Sequence, residues 1–360
     1  MTQSVVHLRT VVPASGPWIF RKMVRDASPR TEPGAVVRVV DRDGGFVAQA
    51  FWNPKSELAL RVLTRDERPV DDEWLRRAVR RAIALRRDAL QLDRVSDAWR
   101  VVFSEADDLP GLVVDRFAHV LSCQVSTLGI YRAFPVIADE LKRELGATVL
   151  HVSADPKIAK IEGFPMPQSA GESARVTIRE NGLSYDVDCA EGHKTGFFLD
   201  QRESRRRVRD LAKGRRVLDL CSYTGGFALS AAKGDAASVT AVDLDEAAIA
   251  QAERNAKRNG VSTIEHRVAD WTSWTDRERY DLVIGSDILY TDLLHPFLRH
   301  IFETNLRPGG VVVLSDPFRE ESMALFEMLE ADGWRVAMDK WTVGIAPPPR
   351  PIGVFALTPA

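Results

Sequence analysis

The sequence predicts an α/β protein in which a small β domain and a mixed α+β segment precede a doubly wound, mostly parallel sheet. Three observations predict it. From about residue 172 β-branched runs alternate with amphipathic stretches, as in "RRVLDL", "GFALSAA", "SVTAVDL", "EAAIAQAERNAKRNG", "YDLVIGSD", "LLHPFLRHIFETNL", "GGVVVLSD" and "EESMALFEMLEADGW". That is the pattern of parallel strands with helices on both faces. Over residues 1–70 short alternating runs are separated by turn signals, and between them and the sheet lies a helix-then-strand pattern, giving segments 1–70, 71–171 and 172–360 within a chain of 360 residues.

Taken in order, "AVVRVVDRDGGFVAQAFWN" alternates apolar and polar residues around Asp43-Gly44-Gly45, a hairpin signal. In "DDEWLRRAVRRAIALRRDAL" an acidic cap precedes Leu75, Val79 and Ile83 at helical spacing, with Arg76, Arg77, Arg80, Arg81, Arg86 and Arg87 between them. A solvated face over a buried stripe accounts for these arginines; a face that tracks phosphates is the alternative. "WRVVFSEADDLPGLVVDRFAHVLSCQV" reads as strands about a Leu109-Pro110-Gly111 turn, and "YRAFPVIADELKREL" as a helix.

Composition adds bounds. A chain 45% hydrophobic and 28% charged is that of an ordinary globular protein. No apolar run is long enough to span a bilayer, and "MTQSVVHLRT" lacks a signal-peptide core, so a cytoplasmic protein with no membrane partner is expected. Cys123, Cys189 and Cys221 lack metal-ligand spacing, which argues against a disulfide framework, a zinc site or any other metal centre. The net charge of −2 is uneven: residues 1–100 carry 19 Lys and Arg against 13 Asp and Glu, so the basic end is the front.

In open parallel sheets ligands bind beyond the carboxyl ends of the strands, and the chemistry-bearing residues fall there. "RRVLDL" brings Asp219 to the end of the first strand and runs into "CSYTGGFALSAA", a turn holding Tyr223, Gly225 and Gly226 that lets the backbone approach a ligand. The second strand ends in Asp243, 24 positions after Asp219, where an acid accepts hydrogen bonds from ribose hydroxyls. The third ends in Asp270-Trp271, a carboxylate for an exocyclic amine and an aromatic face for a purine. The turn is not G-x-G-x-x-G, and no compact pyrophosphate nest is evident. Together these residues resemble the class I S-adenosylmethionine (SAM) methyltransferases with their Rossmann-like sheet. The resemblance implies Asp219 near the methionine amino group, Asp243 on the ribose and Asp270 on the adenine side.

Further upstream, "GPWIFRKMV", "VVRVVDRDGGFVAQAFWNPKSELALRVLTRDE", "SEADDLPGLVVDRF" and "EGHKTGFFLDQRESRR" are similar, over residues from about 10 to 260, to a bacterial 23S rRNA large-subunit methyltransferase family carrying an N-terminal PUA domain. That resemblance implies a PUA fold for the first segment, ribosomal RNA as partner, and SAM contacts from Phe198, Gln201 and Arg202. Without it, Lys194 and Arg202 are cations and Asp200 an acid just ahead of the sheet.

The last third departs from that family. Its best-known members methylate carbon 5 of cytosine through a cysteine thiolate, because that carbon is not nucleophilic until a thiolate adds to the ring. Their fourth strand ends in an acid and two prolines, and a cysteine follows the fifth; here the ends read "GSDILY" and "VVVLSDPF". Residues 264–360 instead resemble seven-strand methyltransferases of the protein-lysine type, whose Asp-x-x-Tyr pattern falls on Asp287 and Tyr290, flanked by Gly285, Ser286, Leu289 and Asp316-Pro317. Asp287 and Tyr290 are the candidate catalytic pair; the competing reading has Asp287 capping the following helix and Tyr290 packing. The expected function is a SAM-dependent methyltransferase acting on ribosomal RNA, at nitrogen rather than at carbon 5 through cysteine. A protein-lysine N-methyltransferase and a non-catalytic RNA-binding protein are the alternatives. Oligomeric state is left open, a homodimer included.

Overall fold

The Asp43-Gly44-Gly45 turn closes the expected hairpin in the computed structural model, which describes residues 3–11, 16–167, 175–189, 197–273, 276–343 and 350–359. The chain divides into two compact units, Met1–Arg179 with Val187–Phe197, and Glu180–Asp186 with Phe198–Ala360.

The first unit holds two sheets. Strands β1 (Val5–Leu8), β2 (Trp18–Ile19), β3 (Val24–Ala27), β4 (Val36–Val40), β5 (Phe46–Trp52) and β6 (Leu60–Thr64) form one in the order β2-β6-β5-β4-β1-β3. Alternation along them buries Val6, Leu8, Ile19, Val37, Val39, Ala48, Ala50 and Leu60 in one cluster. Helix α1 (Asp72–Ala84) follows, capped by Asp71, whose side chain accepts from Trp74 N at 2.7 Å, and buries Leu75, Val79 and Ile83 as their spacing requires. Arg77 of this helix is exposed, as a solvated face requires, but three other arginines on and just after it are ion-paired. Arg80 reaches the buried Glu140 at 2.9 Å, Arg81 reaches Asp108 at 2.9 Å, and Arg86 grips Asp107. Acids of the same unit hold these three.

Strands β7 (Ala98–Phe103), β8 (Leu112–Phe117) and β9 (Val120–Val125), helix α2 (Leu128–Leu145), strand β10 (Val149–Ser153) and helix α3 (Pro156–Glu162) complete this unit around a sheet ordered β10-β9-β8-β7. Glu162 joins the two sheets. Only 3% exposed, it accepts from Asn53 Nδ2 at 2.8 Å and from Leu128 N at 3.2 Å, with Arg61 at 3.5 Å.

After the paired strands β11 (Arg175–Glu180) and β12 (Leu183–Asp188), the second unit runs α4 (Arg202–Leu211), β13 (Arg216–Leu220), α5 (Gly226–Lys233), β14 (Ser238–Asp243), α6 (Glu246–Arg258), β15 (Ile264–Val268), β16 (Tyr280–Ser286), α7 (His295–Asn305), β17 (Leu306–Asp316), α8 (Glu320–Ala331), β18 (Arg335–Val343) and β19 (Arg350–Thr358). The sheet order is β15-β14-β13-β16-β17-β19-β18, with β13 to β17 parallel and β19 antiparallel to both its neighbours. Strand order reverses at β13, between β14 and β16. The Rossmann-like expectation therefore holds, and the crevice of such a sheet belongs beyond β13 and β16.

Within this unit the Arg205 guanidinium donates to both Glu180 carboxylate oxygens, at 2.7 and 2.9 Å, and both residues are buried. Removing one partner of such a pair strands a buried charge, whereas removing both with apolar replacements is often neutral. Glu180→Ala is expected to destabilise the fold by about 3–5 kcal/mol, read by urea unfolding. A Glu180→Met, Arg205→Leu double variant should recover most of that loss.

Candidate functional site

The carboxyl ends of β13, β14, β16 and β17 carry most of the residues singled out above. Asp219 lies inside β13, in register with Ala241 and Ile284, and is 1% exposed. Its Oδ2 accepts from Ala228 N at 2.8 Å, so it caps the first turn of α5, whose own N-cap, Gly225, has no side chain to do so. Burial pushes the Asp219 carboxyl up to about 8.

Beyond β13 the backbone turns sharply. Cys221 and Tyr223 adopt positive φ, as does Gly225 at 81°, where a Cβ would also come within 2.9 Å of Ala252 Cβ on α6. Tyr223 N donates at 2.7 Å to Asp243 Oδ2, and Asp245 N donates at 3.0 Å to Oδ1. Each Asp243 oxygen keeps a lone pair, enough to accept from two vicinal hydroxyls. Phe198 meets the Tyr223 ring edge-on, with centroids 5.5 Å apart.

Asp270 lies exposed just past β15, its Oδ1 taking the Thr272 hydroxyl at 2.6 Å and amide at 2.8 Å; these bonds hold it below the usual carboxylate range. Trp271 is 7% exposed, packed in the apolar cluster with Leu220, Val242 and Leu298, so most of the indole is spent on the core rather than left for a purine.

At the end of β16, Asp287 has φ 60° and donates its amide to Ser315 O at 2.9 Å. The turn drives Ile288 and Leu289 into the core, and Ile288 lies where a Cβ on Gly285 would be, 2.4 Å away, which explains the glycine. Asp287 caps no helix: Thr291 caps the short turn Asp292–Leu294 that precedes α7. Nor does Tyr290 pack, being 61% exposed. The Asp287 carboxylate is instead held by Arg319, which also donates to the fully buried Asp316, through Nη1 at 2.7 Å and its amide at 2.8 Å.

Gln201 and Arg202 begin α4. Gln201 is buried and accepts from Ser315 Oγ at 2.8 Å, while Ser204 Oγ lies 3.1 Å from the same hydroxyl. Lys194 lies outside the described residues. Among the described residues, Ser222 Oγ two residues past β13, Ser286 Oγ at the end of β16, and Arg202 Nε at the start of α4 are buried without a hydrogen-bond partner. Buried polar groups are nearly always satisfied. The two orphaned serine hydroxyls stand at the reversal of strand order and fit a polar ligand such as the methionine end of SAM, with lone pairs on Asp243 left for a ribose.

Arg319, Arg205, Ser222 and Ser315 were not picked from the sequence, and Ser286 was picked only as a flank of the Asp287 pattern. Arg319 carries a signal, being three residues after a strand-end acid. Arg205 sits with Gln201, Ser204, Val208 and Ala212 on one helical stripe, the buried face of α4.

Residues 14–65 match the family of PUA-like domains and residues 168–314 that of the S-adenosylmethionine-dependent methyltransferases. A ribosomal RNA large subunit methyltransferase of Deinococcus radiodurans is 34% identical over 361 residues, covering 90% of this chain and 86% of that one. The chain belongs to this family of large-subunit methyltransferases. A ribosomal RNA large subunit methyltransferase I of Erwinia tasmaniensis is 35% identical over 250 residues, which cover 68% of this chain and 63% of that protein's length. The solved structure of SMU.776, assigned as a methyltransferase and complexed with S-adenosylhomocysteine, shares the fold, with a TM-score of 0.76 at 17% identity and 98% of each chain covered. Among the described residues no helix is long and apolar enough to cross a membrane.

A carboxyl whose folded-state pKa lies above its unfolded one stabilises fully only below the unfolded value, and that contribution is lost as pH rises through the folded value. For Asp219 the window runs from roughly 4 to about 8. Asp219→Asn keeps an oxygen for Ala228 N without the buried charge. Its thermal midpoint should pull ahead of wild type above roughly pH 4 and hold a level lead above about pH 8; a pH-independent difference would contradict the assignment.

Proposed function

We propose that this chain is a cytoplasmic enzyme that methylates a nitrogen of ribosomal RNA with S-adenosylmethionine as donor. The observation that carries the reading is the clustering of Asp219, Asp243, the Gly225-Gly226 turn and the orphaned Ser222 and Ser286 hydroxyls at the reversal of strand order. The family relationship, with relatives named for ribosomal RNA, and the PUA-like front support RNA as the acceptor.

Bound there, S-adenosylmethionine supplies a methyl group activated on a sulfonium. The chain's own part is to hold and orient. Asp243 offers two free lone pairs to the ribose; Phe198 and Tyr223 give an aromatic corner beside it. Asp287, clamped by Arg319, offers a carboxylate oxygen to an acceptor N–H and stabilises positive charge developing on that nitrogen. Tyr290 stands exposed three residues on, which supports a role in meeting an acceptor that arrives from solvent. Positioning of this kind supplies roughly 7–11 kcal/mol of a barrier in favourable cases.

Nitrogen as acceptor is favoured by the state of the thiols. Burial pushes Cys189 and Cys221 up to about 12 and raises Cys123 further, so none is a thiolate near neutrality. A nitrogen acceptor has its own lone pair and needs no covalent activation.

Calorimetric titration with S-adenosylmethionine should show Asp243→Ala losing most of the affinity; unchanged affinity removes the cofactor assignment. In radiolabelled methyl transfer to total rRNA and to ribosomal proteins, the label should enter RNA. Asp287→Ala should lower kcat by roughly 10²-fold or more. A variant with all three cysteines replaced should stay within a few fold of wild type, once folding is confirmed. Label in protein alone, or loss of activity in Cys189→Ala with a trapped RNA adduct in wild type, would overturn this reading.

A further inference from the structure

The string "GPWIFRKMV", so far used only as a mark of resemblance, forms the edge of the first sheet. Strand β2 has β6 as its single partner in that sheet, with Trp18 opposite Arg61 and Ile19 opposite Leu60. Ile19 is fully buried in the sheet's core, and its two neighbours point the other way: Trp18 is 45% exposed and Phe20 43%. Phe20 keeps extended backbone, with φ −73° and ψ 148°, so the two aromatic residues occupy positions i and i+2 on one face of an extended segment.

That spacing has a physical meaning. Residues two apart on a strand are separated by roughly 6.6–6.8 Å, and stacked bases follow one another at about 3.4 Å per strand. Two rings at this separation leave room for one flat base between them. The Trp18 indole is also fixed in advance, because its Nε1 donates to Glu105 Oε1 at 2.7 Å, and the same carboxylate lies 3.7 Å from Arg61. A ring already anchored loses little freedom on binding.

The charge around the pair suits a polyanion. From Gly16 to Arg25 the chain carries Arg21, Lys22 and Arg25 and no acid. Arg21 and Arg25 are balanced by Glu57 and Asp26 at exposed positions, and Lys22 is exposed with no ion pair among the described residues.

We propose that Trp18 and Phe20 form a stacking site for one unpaired nucleotide of an RNA strand, with Lys22 on the adjoining phosphate. This rests on the reading of RNA as the partner and adds to it a place on the first unit and a preference for single-stranded over paired segments. Aromatic faces stack on any base, so the site reads strandedness rather than sequence.

The test uses the full chain and fluorescence anisotropy with one short labelled RNA, single-stranded and as a duplex with its complement, over a salt series. Trp18→Ala and Phe20→Ala should each weaken single-strand binding by roughly 5- to 150-fold, the range for one lost base stack. The salt slope and the duplex affinity should stay unchanged. Lys22→Ala should instead lower the salt slope by about 0.7, the share of one single-strand phosphate, and Trp18→Phe should keep most of the affinity. The Trp18 indole is anchored by Glu105 and not by Phe20, so the Phe20 variant stays decisive if Trp18→Ala fails to fold. Unchanged single-strand affinity in Phe20→Ala, or an equal loss on single strand and duplex, overturns the stacking site while leaving RNA as partner. A wild-type chain that binds neither form at low salt overturns both.

Discussion

The second unit is organised around one buried ion pair, Arg205 with Glu180. A guanidinium taken out of water must have its donors satisfied, and here each direction it reaches fixes a part of the site. Nε and Nη2 engage Glu180 at the end of β11; Nη1 donates to Phe198 O at 3.0 Å, setting the residue whose ring meets Tyr223. Its stem lies 3.1 Å from where a Cβ on Gly226 would stand, a tight approach that the glycine in the turn into α5 relieves. Ser204, the preceding residue, meets Ser315 at the end of β17. The hairpin, the glycine turn and the fifth strand are thus referred to a single side chain.

Left-handed backbone recurs at the same edge, as it does in turns elsewhere in the chain. Cys221, Tyr223, Asp287 and Phe318, all with positive φ, follow β13, β16 and β17 within two or three residues. Such conformations cost of order 1–3 kcal/mol each and persist where surrounding structure over-determines them. The restraints are visible: Asp243 holds the Tyr223 amide, and Ser315 O with Arg319 holds both ends of Asp287. Arg319 bridges the acids that follow β16 and end β17, with Asp316 buried and Asp287 the member within reach of solvent.

Much of this was legible from periodicity. Parallel strands buried on both faces read as continuous apolar runs, and their acids stand at the carboxyl ends, so Asp219, Asp243, Asp270 and Asp287 fell where expected. The role of each was less legible, because a carboxylate's partners come from distant sequence. Asp219 proved to be a helix cap as well as a strand-end acid, and Asp287 an ion-paired group. Trp271, taken for an aromatic surface, is largely core, a distinction that depends on α7 and β14 packing around it. The arginines of α1 misled for the same reason: Glu140, Asp107 and Asp108, which bind them, lie at least 20 residues downstream.

The division of the chain has a consequence for its inheritance. The backbone leaves the first unit at Arg179, returns to it at Val187 and departs again after Phe197. A single crossover between genes cannot exchange one unit and keep the other whole, since any cut at one border leaves a stretch of the wrong parent beyond the next. An exchange of one whole unit needs further crossovers on either side of residues 180–186, and the segment that crosses the border must then pack with its own parent.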